Sequence, residues 1–276
     1  AKVFKEAGYR VITDLSNRST RTKILAQKSG IEDLGNLENI VLNSELILSI
    51  LPPEFALNNA INTLKAFNNV NKPSITYVDC NAISPMTTLK INKIFSSSSI
   101  NFVDGGIIGN NPIIENGKTR LYVSGPAVKE VLELDGKGMQ VKHLNNNIGT
   151  ASGMKMVYAS ATKGTFSLHA AVATVAHSLN LTEDLFKEFE DSQPNILSAM
   201  EKMVPRIPLD AKRWKFEMDE IAKTYSEQGI TSKFHEGASE IMELAQKTPI
   251  AKETRETVDK NRTLIQALDM YIKALK

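Results

Sequence analysis

Cysteine occurs once in the 276 residues, at Cys80, so no internal disulfide can form. That scarcity fits a reducing compartment and places the chain in the cytoplasm. Cys80 itself reads as a small buried hydrophobe at a strand end rather than a reactive thiol. No apolar stretch approaches the length of a membrane span. Neither sign of charge prevails: 33 basic residues stand against 31 acidic ones, a net charge of +2. This excludes a general attractive field for nucleic acid, although a local basic spot can still hold a phosphate. The four histidines, at 143, 169, 177 and 235, lack ligand spacing with acids or with Cys80, so no metal site is expected. No Ser-His-Asp arrangement can be read from the sequence. Trp214 and Phe216 beside Lys212 and Arg213 read as helix core or dimer contact before they read as a stacking surface. The first residue is Ala1 rather than Met, which leaves open an absent N-terminus and a targeting segment.

What is present falls into two rhythms. Up to about residue 144, short apolar runs alternate with helical patterns. Tyr9–Asp14, Glu45–Leu51, Ile75–Asp79, Ile100–Asp104, Thr119–Ser124 and Met139–Leu144 read as strands. Helices are expected over 19–28, 60–67, 85–95 and 127–134 between them. Strands alternating with helices imply βαβ units and a parallel sheet covered on both faces. After Gly149 no strand signal returns. Residues 151–179 are compatible with one long helix, and further helices are expected over 182–190, 194–203, 211–228, 232–246 and 253–274. The expected division is a Rossmann-like domain over 1–148 and an all-helical domain over 149–276, joined near Asn145-Asn-Asn147.

A Rossmann domain opens with a strand, a glycine-rich turn and a helix. Ala1 to Gly8 looks like the end of that helix, with Gly8 as its stop. The expected first strand and phosphate-binding turn therefore lie ahead of Ala1 and are missing from this sequence. After the strand ending at Asp14 comes Ser16-Asn17-Arg18-Ser19. An arginine there pairs with a ribose 2′-phosphate where a carboxylate pairs with a 2′-hydroxyl, so NADP is preferred. Asp14, at the strand tip, argues for NAD instead. Ser16 or Ser19 can equally cap the next helix and leave Arg18 solvated.

The motifs "LILSILPP", "YVDCNAISP", "FVDGGIIGNNP" and "GTASGMKMVYASATKG" follow that turn in order. Together they resemble the β-hydroxyacid and 6-phosphogluconate dehydrogenase superfamily. "RWKFEMDEIAKTYSEQGITSKFHEGASE" resembles the subgroup with a phosphogluconate dehydrogenase-type C-terminal domain. The resemblance spans essentially the whole chain and implies an NAD(P)-dependent oxidoreductase acting on a small hydroxy acid or related carbonyl. It implies that Asn17, Arg18 and Ser19 meet the adenosine ribose, and that Leu51, Pro52 and Pro53 lie along the cofactor. Asn81 and Ser84 match the region near the nicotinamide ribose. Asp104 to Asn110 match the substrate loop, with Gly106, Ile108 and Gly109 as substrate contacts, and Lys155 matches the catalytic lysine.

Oxidation of an alcohol needs a group that takes the hydroxyl proton. A lysine serves when desolvation and a neighbouring cation depress its pKa. On ideal helical spacing Lys155 shares a face with Tyr158, Ala159, Thr162, Phe166 and His169; spacing alone is also satisfied by a lysine stem lying along the core edge. The chain departs from the family pattern in four places, one of them Asn110, which stands for the last glycine of the substrate loop. Ile108 stands for a serine, Ala159 for an asparagine, and Glu217 stands near a lysine of the C-terminal helix. Lys163, with Arg213 and His235, is a candidate for alternative polar contacts to substrate, although plain surface charges and a structural histidine fit these residues as well. The helical half suggests a homodimer. A non-catalytic dinucleotide-binding or scaffold protein and an imine-type reductase are the rival readings.

Overall fold

The computed structural model describes residues 1–113 and 118–275. The chain divides into two compact units, Ala1–Lys155 and Met156–Lys276.

In the first unit, α1 (Lys2–Glu6) leads to β1 (Ile12–Thr13), α2 (Thr20–Lys28), β2 (Glu32–Asp33) and α3 (Leu37–Asn43). Then come β3 (Leu46–Ser49), a 3₁₀ turn (Pro53–Phe55), α4 (Ala56–Asn69), β4 (Ile75–Asp79), α5 (Pro85–Phe95) and β5 (Ile100–Ile108). The series ends with β6 (Arg120–Ser124), α6 (Lys129–Leu132) and β7 (Gln140–His143), before α7 (Thr150–Ala159) begins. β1 and β2 pair in parallel as a two-stranded ribbon, and the main sheet runs in the order β3-β4-β5-β6-β7. All five residues of β4 are buried, as a strand covered on both faces requires. Alternate side chains feed different cores. Tyr77 and Phe102 pack with Phe95 on one face, while Val78, Val103 and Val123 pack on the other.

The Rossmann-type expectation holds with one change of direction. β5 and β6 pair antiparallel, while the other neighbours in the sheet are parallel. A parallel crossover needs about a dozen residues or more, usually with a helix. The stretch from Ile108 to Arg120 is short for that and contains Gly109 and Pro112. β5 also extends four residues beyond the expected end at Asp104, to Ile108. Neither β2 nor α3 has a sequence signal strong enough to predict it; α3 depends on Asn36, whose side chain accepts from the Asn39 amide at 2.8 Å.

The second unit holds the end of α7, a π-helical turn (Ser160–Gly164), α8 (Thr165–Ser178), α9 (Thr182–Ser192) and α10 (Pro194–Met203). A 3₁₀ turn (Val204–Leu209), α11 (Ala211–Glu227), α12 (Lys233–Lys247), another 3₁₀ turn (Pro249–Lys252) and α13 (Leu264–Leu275) complete it. One expectation is corrected here. The helix expected over 253–274 begins only at Leu264, because its buried stripe of Leu264, Ala267, Leu268 and Tyr271 starts there. Ahead of it Thr254 and Thr257 close a local turn with their own hydroxyls. The long helix expected after Gly149 runs without a break from Thr150 to Ser178 and contains a π-turn. Around its π-turn the hydroxyls of Thr162 and Thr165 bond back to the carbonyls of Tyr158 and Ala161, and such side chains compete with the helical ladder. The π-turn departs from the ideal helical spacing on which Thr162, Phe166 and His169 were grouped with Lys155. Among the described residues no helix is long and apolar enough to cross a membrane.

Candidate active site

Three of the candidate segments follow the carboxyl ends of β1, β3 and β4, the edge where open α/β sheets bind ligands. After β1, Asp14 turns back on its own loop. Its carboxylate accepts from the Ser16 amide at 2.9 Å and the Ser16 hydroxyl at 2.6 Å. Ser19 is the N-cap of α2, accepting from the Thr22 amide at 3.2 Å. Arg18 lies between them, exposed, as is Asn17.

After β3, Leu51, Pro52 and Pro53 form a loop held from below by Asn81. The Asn81 side-chain oxygen accepts from the Leu51 amide at 2.5 Å, while its nitrogen donates to Ser49 and Asp79, each at 3.0 Å. Asn81 is therefore 2% exposed and fully engaged; it supports the loop from inside. Ser84 caps α5 through the Thr87 amide at 3.2 Å. Burial pushes the Asp79 carboxyl up to about 7, against the two Asn81 bonds that pull it down, and Asp104 adds to the upward push.

The third group joins β5 to α7. Asp104, neighbour of Asp79 in register, is 1% exposed. Its carboxylate accepts from the amides of Gly149 and Ala151 at 2.9 Å, the Ser152 amide at 3.1 Å, the Ser152 hydroxyl at 3.3 Å and the Ser124 hydroxyl at 2.9 Å. These are the amides that a helix start leaves without internal partners. Gly149 adopts φ +101° in the approach to the helix, a conformation that glycine alone enters cheaply. Gly106 lets α7 lie close on β5. A Cβ there would stand 2.7 Å from the Ala151 carbonyl oxygen and 3.1 Å from Lys155 Cβ. Lys155 is half-buried, and its ammonium donates to the Ile107 carbonyl. Ile108, the other side chain expected at the substrate, is buried at 2% exposure, whereas Gly109 is exposed with φ +117°.

The remaining candidate, Lys163, lies in the helical unit. Its ammonium is bound to Glu217, which is 1% exposed and also accepts from Arg213 at 2.5 Å. The Lys163 ammonium lies 5.5 Å from the centre of the Trp214 ring. The π-turn also presents Ser160 to Tyr225 at 2.7 Å and to His235 at 2.8 Å. Burial lowers the proton affinity of His235. Sequence reading missed Ser49, Asp79, Ser124 and Ser152 as working parts. The signal available for them was an acid or hydroxyl ending an apolar strand. Among the described residues no cluster of histidine, cysteine or acidic residues could hold a metal.

Comparison with known proteins bears on the family and the fold. The NAD binding domain of 6-phosphogluconate dehydrogenase matches residues 1–141, and a domain of unknown function (DUF1932) matches 176–245. The uncharacterized 28.5 kDa protein in 7S RNA 5'region of Methanothermus fervidus is 29% identical over 183 residues, 66% of this chain and 68% of that protein. Conserved protein MTH1747, whose structure was described as showing structural similarity with 3-hydroxyacid dehydrogenases, is 26% identical with a TM-score of 0.60. That match covers 88% of this chain and 93% of the other. Mycobacterium tuberculosis 3-hydroxyisobutyrate dehydrogenase shares the fold with a TM-score of 0.62 at 13% identity, over 88% of this chain and 87% of its own. This chain accordingly belongs to the family defined by the NAD binding domain of 6-phosphogluconate dehydrogenase, here followed by a helical region that matches DUF1932.

Proposed function

We propose that the chain is an NADP-preferring oxidoreductase that interconverts a small hydroxy acid and its carbonyl form, with Lys155 passing the proton. The observation that carries this is Lys155 itself: a half-buried ammonium on a helix whose first turn is fastened to β5. The Ile107 carbonyl orients the ammonium. From there Lys155 can give a proton to a carbonyl oxygen or, once neutral, take one from a hydroxyl. Gly109, with its backbone exposed beyond β5, supports a role for this loop in holding the substrate, and Lys163 braces the helix beyond it through Glu217.

The residues fit a dinucleotide. Asp14 is occupied by Ser16, which leaves the exposed Arg18 guanidinium to meet a 2′-phosphate. The Leu51–Pro53 loop, fixed by Asn81, offers a rigid surface along the same edge. When bound, the dinucleotide supplies the two-electron redox chemistry. We also infer a homodimer formed through the helical unit. It leaves Leu168, Leu179 and Phe234 exposed at 62%, 61% and 77%, and apolar side chains in such number favour a partner surface.

The test is turnover with NADPH and NADH against a panel of carbonyl acids and of imines. Lys155→Met should lower kcat by about 10²- to 10⁴-fold. Arg18→Ala should reduce the preference for NADPH over NADH. Full activity in Lys155→Met refutes the proton-transfer role. The rival is a non-catalytic dinucleotide-binding protein, favoured by Ala159 where the family pattern has asparagine. It predicts NADPH binding without turnover of any member of the panel.

A further inference from the structure

We propose that Asp104 is the positioning residue for Lys155: its buried carboxylate sets where the lysine helix starts and how firmly the ammonium keeps its proton. The inference rests on the proton-transfer reading of Lys155, and it concerns a different residue with a separate readout.

Asp104 acts as a helix cap delivered from another element. An N-cap normally comes from the residue just before the helix. Here it comes from the middle of β5, with 45 to 48 residues between donor and acceptor. Three backbone amides and two hydroxyls converge on one carboxylate, and Ser124 closes the arrangement by also accepting from the Ala151 amide at 3.0 Å. Every one of these contacts donates to Asp104. The three amides can only donate and favour the ionised form, whereas the two hydroxyls can donate or accept; Ser152 has the Gly149 carbonyl as a second acceptor at 3.1 Å. Burial raises the proton affinity of Asp104 and these donors oppose the rise. A charge so placed also compensates the positive end of the helix dipole.

The geometry ties this clamp to the ammonium. Ala151 and Lys155 are four apart, so they lie on one face of α7, one turn above the other. That face meets β5 at Gly106, where an added Cβ would collide with both residues. On the same strand, three residues beyond Asp104, the Ile107 carbonyl receives the Lys155 ammonium. One strand therefore holds the lysine at two points: the backbone one turn ahead of it, and its charged tip. A displacement of the first turn passes along the rigid helix to the ammonium. A shift of about 1 Å in such a group can cost on the order of 100-fold in rate.

The full chain with Asp104→Asn tests this by two readouts. The first is competitive acetylation of Lys155 against pH, read by mass spectrometry, which needs neither cofactor nor substrate. With the compensating charge gone, the labelling midpoint should fall by about half a pH unit or more, and amide exchange at residues 149–155 should quicken. The second is turnover of the panel substrate, where kcat should drop roughly 10- to 100-fold while the NADPH dissociation constant stays within about twofold. An unchanged midpoint with unchanged exchange overturns the inference. A shifted midpoint alongside full activity in Lys155→Met supports the positioning role and refutes only the proton-transfer reading. Ser124→Ala, which removes one donor and keeps the carboxylate, covers the case in which Asp104→Asn fails to fold. It should quicken amide exchange at residues 149–155 by a smaller amount, because the clamp loses one hydrogen bond while its charge remains, and unchanged exchange again overturns the inference.

Discussion

At the residue scale, Asp79 has the clearest consequence for solution behaviour. Its carboxyl, 1% exposed, is pushed by burial from the ordinary carboxylate range to about 7. Between roughly pH 4 and pH 7 the folded chain therefore holds a proton that the unfolded chain has released. Stability contributed by this group is full at acid pH and falls as pH rises through that window. The total is on the order of 4 kcal/mol for a shift of about three units. Urea unfolding across this range should show the decline, and Asp79→Asn should remove its share of the slope; an unaltered slope would show that Asp79 does not titrate as described. The acids of "YVDC" and "FVDGG" were legible in the sequence as the ends of predicted strands. Their partners were not. Asn81 is two residues from Asp79, but Ser152 is 48 from Asp104, and no local pattern encodes a bond of that span.

At the scale of elements, the π-turn and α11 share a buried ion pair. Lys163 is 14% exposed at its side chain and Glu217 only 1%. Removing one partner from such a pair costs about 3–5 kcal/mol, because the other charge keeps its desolvation penalty. Glu217→Ala should lose stability of that order in urea or thermal unfolding. The double variant Lys163→Met with Glu217→Leu should recover most of it. A loss of under about 0.5 kcal/mol in the single variant would mark the pair as a surface-like contact. Sequence spacing predicted helices here and placed most of them within a few residues. It could not show the π-turn, since hydrophobic periodicity is blind to one extra residue where Ser, Thr and Gly replace apolar positions. The same blindness produced the overlong helix ahead of Leu264, where polar residues that favour helices stand in a stretch closed by threonine turns.

At the scale of the whole molecule, the inferred homodimer predicts a sedimentation mass of twice 30.4 kDa, with Phe234→Glu shifting the species toward monomer; a monomeric wild type at micromolar concentration would refute it. The alternation of strand and helix up to residue 144, and the purely helical pattern after Gly149, determined the two kinds of architecture from sequence alone. These patterns are local, set by which side chains must be buried every second or every third to fourth residue. The ordered motifs likewise pointed to the family and to Lys155. What only the tertiary structure decided is which groups meet: that β5 turns antiparallel to β6, that Asn81 faces inward to hold a loop, and that Asp104 caps a helix far along the chain. Such contacts depend on packing and on satisfying buried polar groups, and those requirements exist only once distant segments have been brought together.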